Sequence, residues 1–190
     1  MRFGHCCLGW RVPSSAYGVS GCFVHDRCRR WRSGSIAFSA ARAAPPRLVT
    51  LDGVSGVVPG MTGAEVSRIW DVVVRSGAGG SRSCWTAAIN SGPVRGYALF
   101  EYNRLGAVWF DRGVRTPSGI TIGSTVGQLV RAYGYRLRAQ PHKYQLGAQY
   151  FFLTRKQSPR WRIRFDTNAA ARITQIGFGG RAVGYVEGCS

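Results

Sequence analysis

An internal repeat constrains this chain more than any other feature. Residues 56–70 read Gly-Val-Val-Pro-Gly-Met-Thr-Gly-Ala-Glu-Val-Ser-Arg-Ile-Trp, and residues 119–133 read Gly-Ile-Thr-Ile-Gly-Ser-Thr-Val-Gly-Gln-Leu-Val-Arg-Ala-Tyr. Gly56, Gly60, Thr62 and Arg68 recur as Gly119, Gly123, Thr125 and Arg131, at an offset of 63 residues. Self-similarity at a fixed period means that one supersecondary unit is built twice. A second block recurs downstream at an offset of 65, where Phe100-Glu101-Tyr102-Asn103 matches Phe165-Asp166-Thr167-Asn168. Two separated blocks with nearly one offset are far harder to obtain by chance than either match alone.

The recurring residues have a physical purpose. Thr62-x-x-Glu65 and Thr125-x-x-Gln128 are capping boxes, in which the threonine oxygen accepts from the N3 amide and the longer side chain reaches back to the cap. The glycine two residues before each threonine allows a sharp entry into the helix. Val66, Ile69 and Trp70 then form an i, i+3, i+4 apolar stripe, as do Leu129, Ala132 and Tyr133. Gly134 is a suitable stop for the second helix. Asp71 stands at that place in the first copy, so that helix is expected to run on through Val74.

Each helix is followed by strand-like alternation. The first copy predicts strands at about 83–90, 97–102 and 105–110, and the second at about 148–154, 160–166, 172–178 and 182–187. Asn103 and Asn168 mark hairpin turns. The fold class expected is α+β. Two tandem helix-plus-antiparallel-sheet units, 51–115 and 116–190, are expected, their sheets joined edge to edge or separate.

Residues 1–48 differ in kind. The first 50 residues hold eight arginines, one acid (Asp26) and four of the six cysteines, with no apolar period. The Ala- and Pro-rich stretch 39–46 reads as a linker. Three readings fit the segment. It is disordered, or an upstream stretch joined to the protein by a misassigned start. It is a targeting peptide, with Arg2 as its basic end and Val19-Ser20-Gly21-Cys22 shaped like a lipoprotein cleavage site, although Arg11 and Pro13 interrupt the apolar run. Or it is a metal site: Cys22-x-x-His25-x-x-Cys28, near His5, Cys6 and Cys7, has zinc-ligand spacing but no finger-like core around it.

The opening Gly60-Met61-Thr62-x-x-Glu65-Val66, a short helix and then an antiparallel sheet, resembles a known module. It is the one shared by the beta-lactamase inhibitory proteins and the SmpA/OmlA (BamE-type) outer-membrane lipoproteins. The likeness covers residues 54–190, and the second copy keeps it in part, with Ser124 for Met61 and Gln128 for Glu65. The tandem copies point to the inhibitory-protein side, which implies one concave sheet with the helices packed on one side. The resemblance implies a non-enzymatic, extracytoplasmic protein that binds another protein through its sheet face. No inhibitory residue of that family is carried over.

The chemistry that would mark an enzyme is sparse. His142 is the one histidine of residues 51–190, in the loop Gln-Pro-His-Lys-Tyr. The acids there, Asp52, Glu65, Asp71, Glu101, Asp111, Asp166 and Glu187, form no evident acid/base pair. Glu101 and Asp166 occupy matching hairpin positions and are expected at turns or on the surface. Gly77-Ala78-Gly79-Gly80 lacks the Lys-Ser/Thr of a phosphate loop. No cofactor is expected. Cys84 and Cys189, the cysteines of the ordered part, are expected to form a disulfide suited to an exported protein.

The formal charge of +18 invites a nucleic-acid reading. That reading is weakened by composition: of 26 basic residues only Lys143 and Lys156 are lysines, a skew that a GC-rich coding sequence produces by itself. The sharper candidate is Arg160-Trp161-Arg162-Ile163-Arg164-Phe165. Strand alternation puts Trp161, Ile163 and Phe165 toward the helices and the arginines on the other face. Arg160, Arg162 and Arg164, with Trp109 or Phe110, Tyr150 and Phe152, are therefore the expected partner-binding surface, since Arg and aromatics are enriched at interface hot spots. A monomer with no membrane span is expected, binding another protein. An envelope lipoprotein scaffold acylated at Cys22 and a nucleic-acid binder are the alternatives.

Overall fold

A capping box starts each of the two helices, and both boxes close in the computed structural model, which describes residues 46–75, 81, 83–155 and 160–189. Helix α1 spans Gly63–Trp70 and helix α2 spans Val126–Tyr133. Thr62 N–H donates to Glu65 Oε2 at 2.7 Å, and Glu65 N–H donates back to Thr62 Oγ1 at 3.3 Å. In α2 the matching distances, Thr125 to Gln128 and back, are 2.8 and 3.2 Å. The calls on Cys22, His25, Cys28, residues 1–45 and 77–80 fall outside the described residues, which belong to the unit Ala41–Ser190.

Strands β1 (Arg47–Thr50), β2 (Gly53–Val54) and β6 (Val114–Arg115) form a small sheet in the order β2-β1-β6. The main sheet has seven antiparallel strands in the order β3-β4-β5-β10-β9-β8-β7. Their spans are β3 Cys84–Ser91, β4 Val94–Glu101, β5 Arg104–Arg112, β7 Leu137–Pro141, β8 Gln149–Thr154, β9 Arg162–Thr167 and β10 Ile173–Gly179. The strands after α1 thus meet the strands after α2 at the β5–β10 joint.

Each helix entry is stitched to one strand of that joint. Gly60 N–H donates to Leu105 O and Leu105 N–H to Met61 O, both at 2.7 Å. Gly123 N–H donates to Ile173 O at 2.8 Å, and Ile173 N–H to Ser124 O at 2.9 Å. Gly60 and Gly123 make these approaches with φ of +96° and +86°, a backbone region costly to any side-chain-bearing residue.

Both helices pack on the same face of the main sheet. Val66, Trp70 and Leu129 share one buried core with Phe100, Phe110, Ile163, Phe165, Ile176 and Phe178. Trp70 tilts against Phe110 at 5.8 Å, and Tyr133 against Phe165 at 6.0 Å. Truncating one such fully buried phenylalanine costs about 3–5 kcal/mol. Arg47 closes the end of α1: its Nη2 donates to Trp70 O at 2.8 Å while the guanidinium lies 5.0 Å from the Trp70 ring centroid.

Several expectations need correction. Helix α1 does not reach Val74. Asp71 turns left-handed (φ 51°, ψ 52°) and ends the helix in place of a glycine. Residues 182–187 form no strand; Arg181–Gly184 is a 3-10 turn. The preceding strand β10 already has partners on both sides, so the chain has no ladder to join and leaves the sheet. Strand β7 is not among the expected strands: four of its five residues are exposed and no apolar period marks it.

Glu65 makes one cap pH-dependent. The Thr62 backbone N–H and hydroxyl hold its carboxylate below the ordinary 4.5. A lowered folded value means that the charged cap stabilises the fold above about pH 4.5 and loses that contribution as pH falls through the lower folded value. Glu65→Gln keeps the hydrogen bond, as Gln128 does in α2, but cannot titrate. The thermal midpoint of wild type minus that of Glu65→Gln, followed by circular dichroism from about pH 6 to about pH 3, is expected to be positive at the upper end and to fall toward zero. A constant difference would remove the charge from this cap.

Candidate partner-binding surface

The face of the main sheet opposite the helices is built around two glycines. Gly177 and Gly179 on β10 oppose Trp109 and Ala107 on β5. A Cβ at Gly177 would lie 2.7 Å from Trp109 Cδ1 and 2.9 Å from Val183 Cγ2, so the indole lies where a side chain would otherwise stand. Trp109 also stacks on Tyr97, with centroids 5.0 Å apart. This leaves a flat apolar floor in the middle of the sheet.

The chain's own C-terminal segment, 181–189, covers that floor. Ala182 and Val183 are buried against Leu99, Ala107 and Trp109. Arg164 holds the segment's backbone, with Nη1 donating to Val183 O at 3.1 Å and to Tyr185 O at 2.8 Å. Its remaining donors grip Asp166 in a fork, Nε to Oδ1 at 2.6 Å and Nη2 to Oδ2 at 2.8 Å, and its guanidinium lies 4.1 Å from the Tyr150 ring centroid. Tyr185 Oη donates to Glu101 Oε1 at 3.1 Å. Lys143 and Tyr144 both bond Glu187, and a Cys84–Cys189 disulfide ties the end of the strap to the start of β3.

Burial, the larger influence, pushes the Asp166 carboxyl above its ordinary range, and the hydrogen bonds and charge of Arg164 pull it back. The pair is therefore poised between desolvation and compensation. Removing either partner strands the other, which is the costly way to break a buried ion pair.

The strap reassigns most of the expected binding residues. Arg164, Tyr150 and Trp109 are 5%, 4% and 2% exposed and lie beneath or beside it, so they hold the chain's own tail rather than offer a surface. Alternation located them on the right face but could not say what lies over that face. Glu101 and Asp166 are not surface turn residues: each binds strap or strap anchor. Arg162 is half-buried with its guanidinium 5.7 Å from the Phe152 ring, and its Nε donates to Gly180 O at 3.4 Å. Arg160 is exposed, beside Trp161 at 5.1 Å. Phe110 faces the helix-side core.

One end of this face remains open. Thr154 pairs with Arg162 across β8 and β9, and Leu137 pairs with Leu153 across β7 and β8. Arg138 stands beside Phe152 in the next row, and Arg136 ends the 3-10 turn Gly134–Arg136 that leads into β7. Tyr135, Arg136, Arg138 and Thr154 line a groove of ≈ 380 Å³, and Tyr135 is 92% exposed. Arg136, Arg138, Arg160 and Arg162 have no ion-pair partner among the described residues, unlike Arg155, which reaches Asp52 at 2.6 Å. Sequence reading missed the groove, although Arg136-Leu137-Arg138 carries the same alternation as 160–165.

Other chemistry is limited. His142 Nδ1 accepts from the Tyr144 and Gln145 amides at 3.1 Å, a turn-forming role. No group of three or more His, Cys, Asp or Glu side chains among the described residues could hold a metal, and no described helix is long and apolar enough to cross a membrane.

No known protein family matches this chain, and no curated protein does. Similar solved structures include a cysteine-rich secretory protein from Staphylococcus aureus, at 7% identity and TM-score 0.42 over 64% of this chain and 43% of that one. A DUF4309 family protein (YjgB) from Bacillus subtilis matches at 12% identity and TM-score 0.47 over 67% and 84%. An extracellular protein containing a SCP domain from Bacillus anthracis matches at 8% and 0.46 over 70% and 47%. The chain spans less than half the length of the first and third.

The disulfide encloses a sequence separation of 105 residues. Cys84→Ser with Cys189→Ser is expected to lower unfolding free energy in urea by about 3–5 kcal/mol. Reductant should do the same to wild type and nothing further to the double variant. Equal stability of the oxidised wild type and the double variant would mean that the strap is held without its covalent tie.

Proposed function

We propose that this is an exported, non-enzymatic protein-binding module, built of two tandem helix-plus-sheet units, that holds its partner at the arginine end of its sheet. The observation that carries the reading is the groove lined by Tyr135, Arg136, Arg138 and Thr154, with Arg162 paired to Thr154 on the next strand. Four arginines, Arg136, Arg138, Arg160 and Arg162, with no carboxylate partner among the described residues, stand on or next to strands β7 and β9 near the exposed Tyr135. Such positions recognise partners because the side chains are placed before the partner arrives. Arginine is the cation suited to an interface, being planar, forked and weakly hydrated.

Three further features support the parts of this reading. The paired stitches at Gly60–Leu105 and Gly123–Ile173 support duplication of one unit, as in the inhibitory proteins that the repeat resembles. The Cys84–Cys189 bridge supports export, since disulfides persist in oxidising compartments. The strap supports a binding rather than a catalytic role, because it fills the apolar centre of the sheet and leaves recognition to the rim.

The test is site-directed photo-crosslinking in the native host. A benzoylphenylalanine at Tyr135 is expected to trap a protein partner, while one at Tyr102, exposed in the β4–β5 turn, is not. Arg138→Glu with Arg162→Glu should cut the Tyr135 adduct at least about tenfold with the thermal midpoint retained, a loss of about 1.4 kcal/mol or more in binding. Equal adducts at both positions, or an adduct indifferent to charge reversal, would move the site elsewhere.

A further inference from the structure

Strand β7 ends the main sheet, and no described strand pairs with its outer edge. The opposite edge strand, β3, is tied down by the disulfide at Cys84 and by Arg47 Nη2 on Ser91 Oγ at 3.3 Å. In β7 the residues from Arg138 to Pro141 are all exposed. A bare edge is a row of backbone donors and acceptors that another extended chain can complete. Natural edges are commonly guarded by charge, and Arg136 and Arg138 are placed to do so.

Guarding by arginine is selective, and that selectivity identifies the occupant. A second copy of this chain carries +18 and presents the same arginines, so edge-to-edge self-pairing is repelled. The chain's own first 50 residues hold eight arginines and one acid and are repelled likewise. An acidic extended segment meets the opposite condition: the charges that exclude copies attract it. Resting on the reading of the arginine end as a protein-binding site, we infer that β7 takes an extended acidic segment of another protein as an added antiparallel or parallel strand.

The geometry specifies the segment further. Pro141 lacks an N–H and ends the free edge, and at its other end the Leu137 N–H already donates to Gly134 O, so at most about five residues, roughly 17 Å, can pair. Arg138 and Gln140 lie on the strap-side face and Ala139 on the helix-side face. A docked strand therefore sets alternate side chains beside Arg138 and Gln140, where carboxylates fit, and the intervening ones beside exposed Ala139, where apolar side chains fit. Backbone pairing supplies affinity and the alternate side chains supply specificity, as in other strand-addition complexes. A nucleic acid would use the arginines but not the edge.

The experiment is a fluorescence-anisotropy titration of the full oxidised chain at about 50 mM salt, where surface charge is weakly screened. The probe is a labelled peptide of alternating Glu and Val. It is expected to bind at least about tenfold more tightly than its Lys-Val counterpart, a step of about 1.4 kcal/mol. Methylating the backbone nitrogens along one edge of the peptide should cost a similar factor, because it removes the donors that pair with β7. Arg136→Glu with Arg138→Glu should do the same, with the thermal midpoint checked to show that the fold survives. No binding of the Glu-Val peptide would mean that the arginines only guard the edge. Binding unaffected by N-methylation, or tighter binding of oligothymidylate, would make the site a general anion surface. If the peptide fails while the Tyr135 crosslink remains sensitive to charge reversal, the strand-addition inference alone falls. If both fail, the protein-binding reading of this end falls with it.

Discussion

The β5–β10 joint is the constraint on which the rest of the structure depends. Among the described residues it is the only antiparallel ladder that connects the strands following α1 to those following α2. Its helix-side face carries Phe110, Ile176 and Phe178, and these complete a core that neither half could close with one eight-residue helix. Its other face carries Gly177 and Gly179, which remove side chains where Trp109 and the strap must lie. One strand thus presents bulk to one side and bare backbone to the other, and both are needed. Bulk on both faces would leave the strap no seat, and glycine on both would leave the core unfilled.

The strap follows from the same joint. A face floored by Leu99, Ala107 and Trp109 would expose contiguous apolar surface if nothing covered it, and such surface is an association liability. The chain covers it with Ala182 and Val183 instead. A strap over a flat sheet has no ladder to join, so its carbonyls need donors from below. Arg164 supplies them. Its fork satisfies Asp166 while two further bonds hold Val183 and Tyr185, and its face rests on Tyr150. Lysine could not do this, having a single nitrogen and no planar face. At this position the arginine-for-lysine bias of the composition coincides with a structural need.

What could be read from the sequence was what is settled locally. Thr62–Glu65 and Thr125–Gln128 were legible because a capping box is closed by residues three apart, whatever packs around it. The six strands expected within 83–178 lie within a few residues of β3, β4, β5, β8, β9 and β10, since alternation needs no partner to be visible. The strap was not legible, because Ala182-Val183-Gly184-Tyr185 looks like a strand and only the filled neighbourhood of β10 forbids it. Arg164 illustrates the same limit. Period-2 alternation says which face a side chain takes, and it says nothing of what the chain later lays over that face. Gly177-x-Gly179 carried a usable signal, since paired glycines on one face of a strand mark a close approach.

The division of the arginines then has a physical logic. Where the strap passes, arginine is consumed internally and its charge is neutralised, as at Arg164. Beyond the strap's reach, at Arg136 and Arg138, the same side chain has no ion-pair partner among the described residues. The strap therefore separates the sheet face into a sealed apolar centre and a charged end next to an edge that no described strand pairs. Recognition at that end can draw little on apolar burial, because the strap has taken the apolar area. It must draw on charge and on backbone pairing. Those two terms differ in range, since charge steers an approaching partner over about 10 Å at moderate salt while backbone pairing acts only on contact. An edge that attracts by the first and holds by the second can admit acidic extended segments quickly and still reject the many basic surfaces of its own copies.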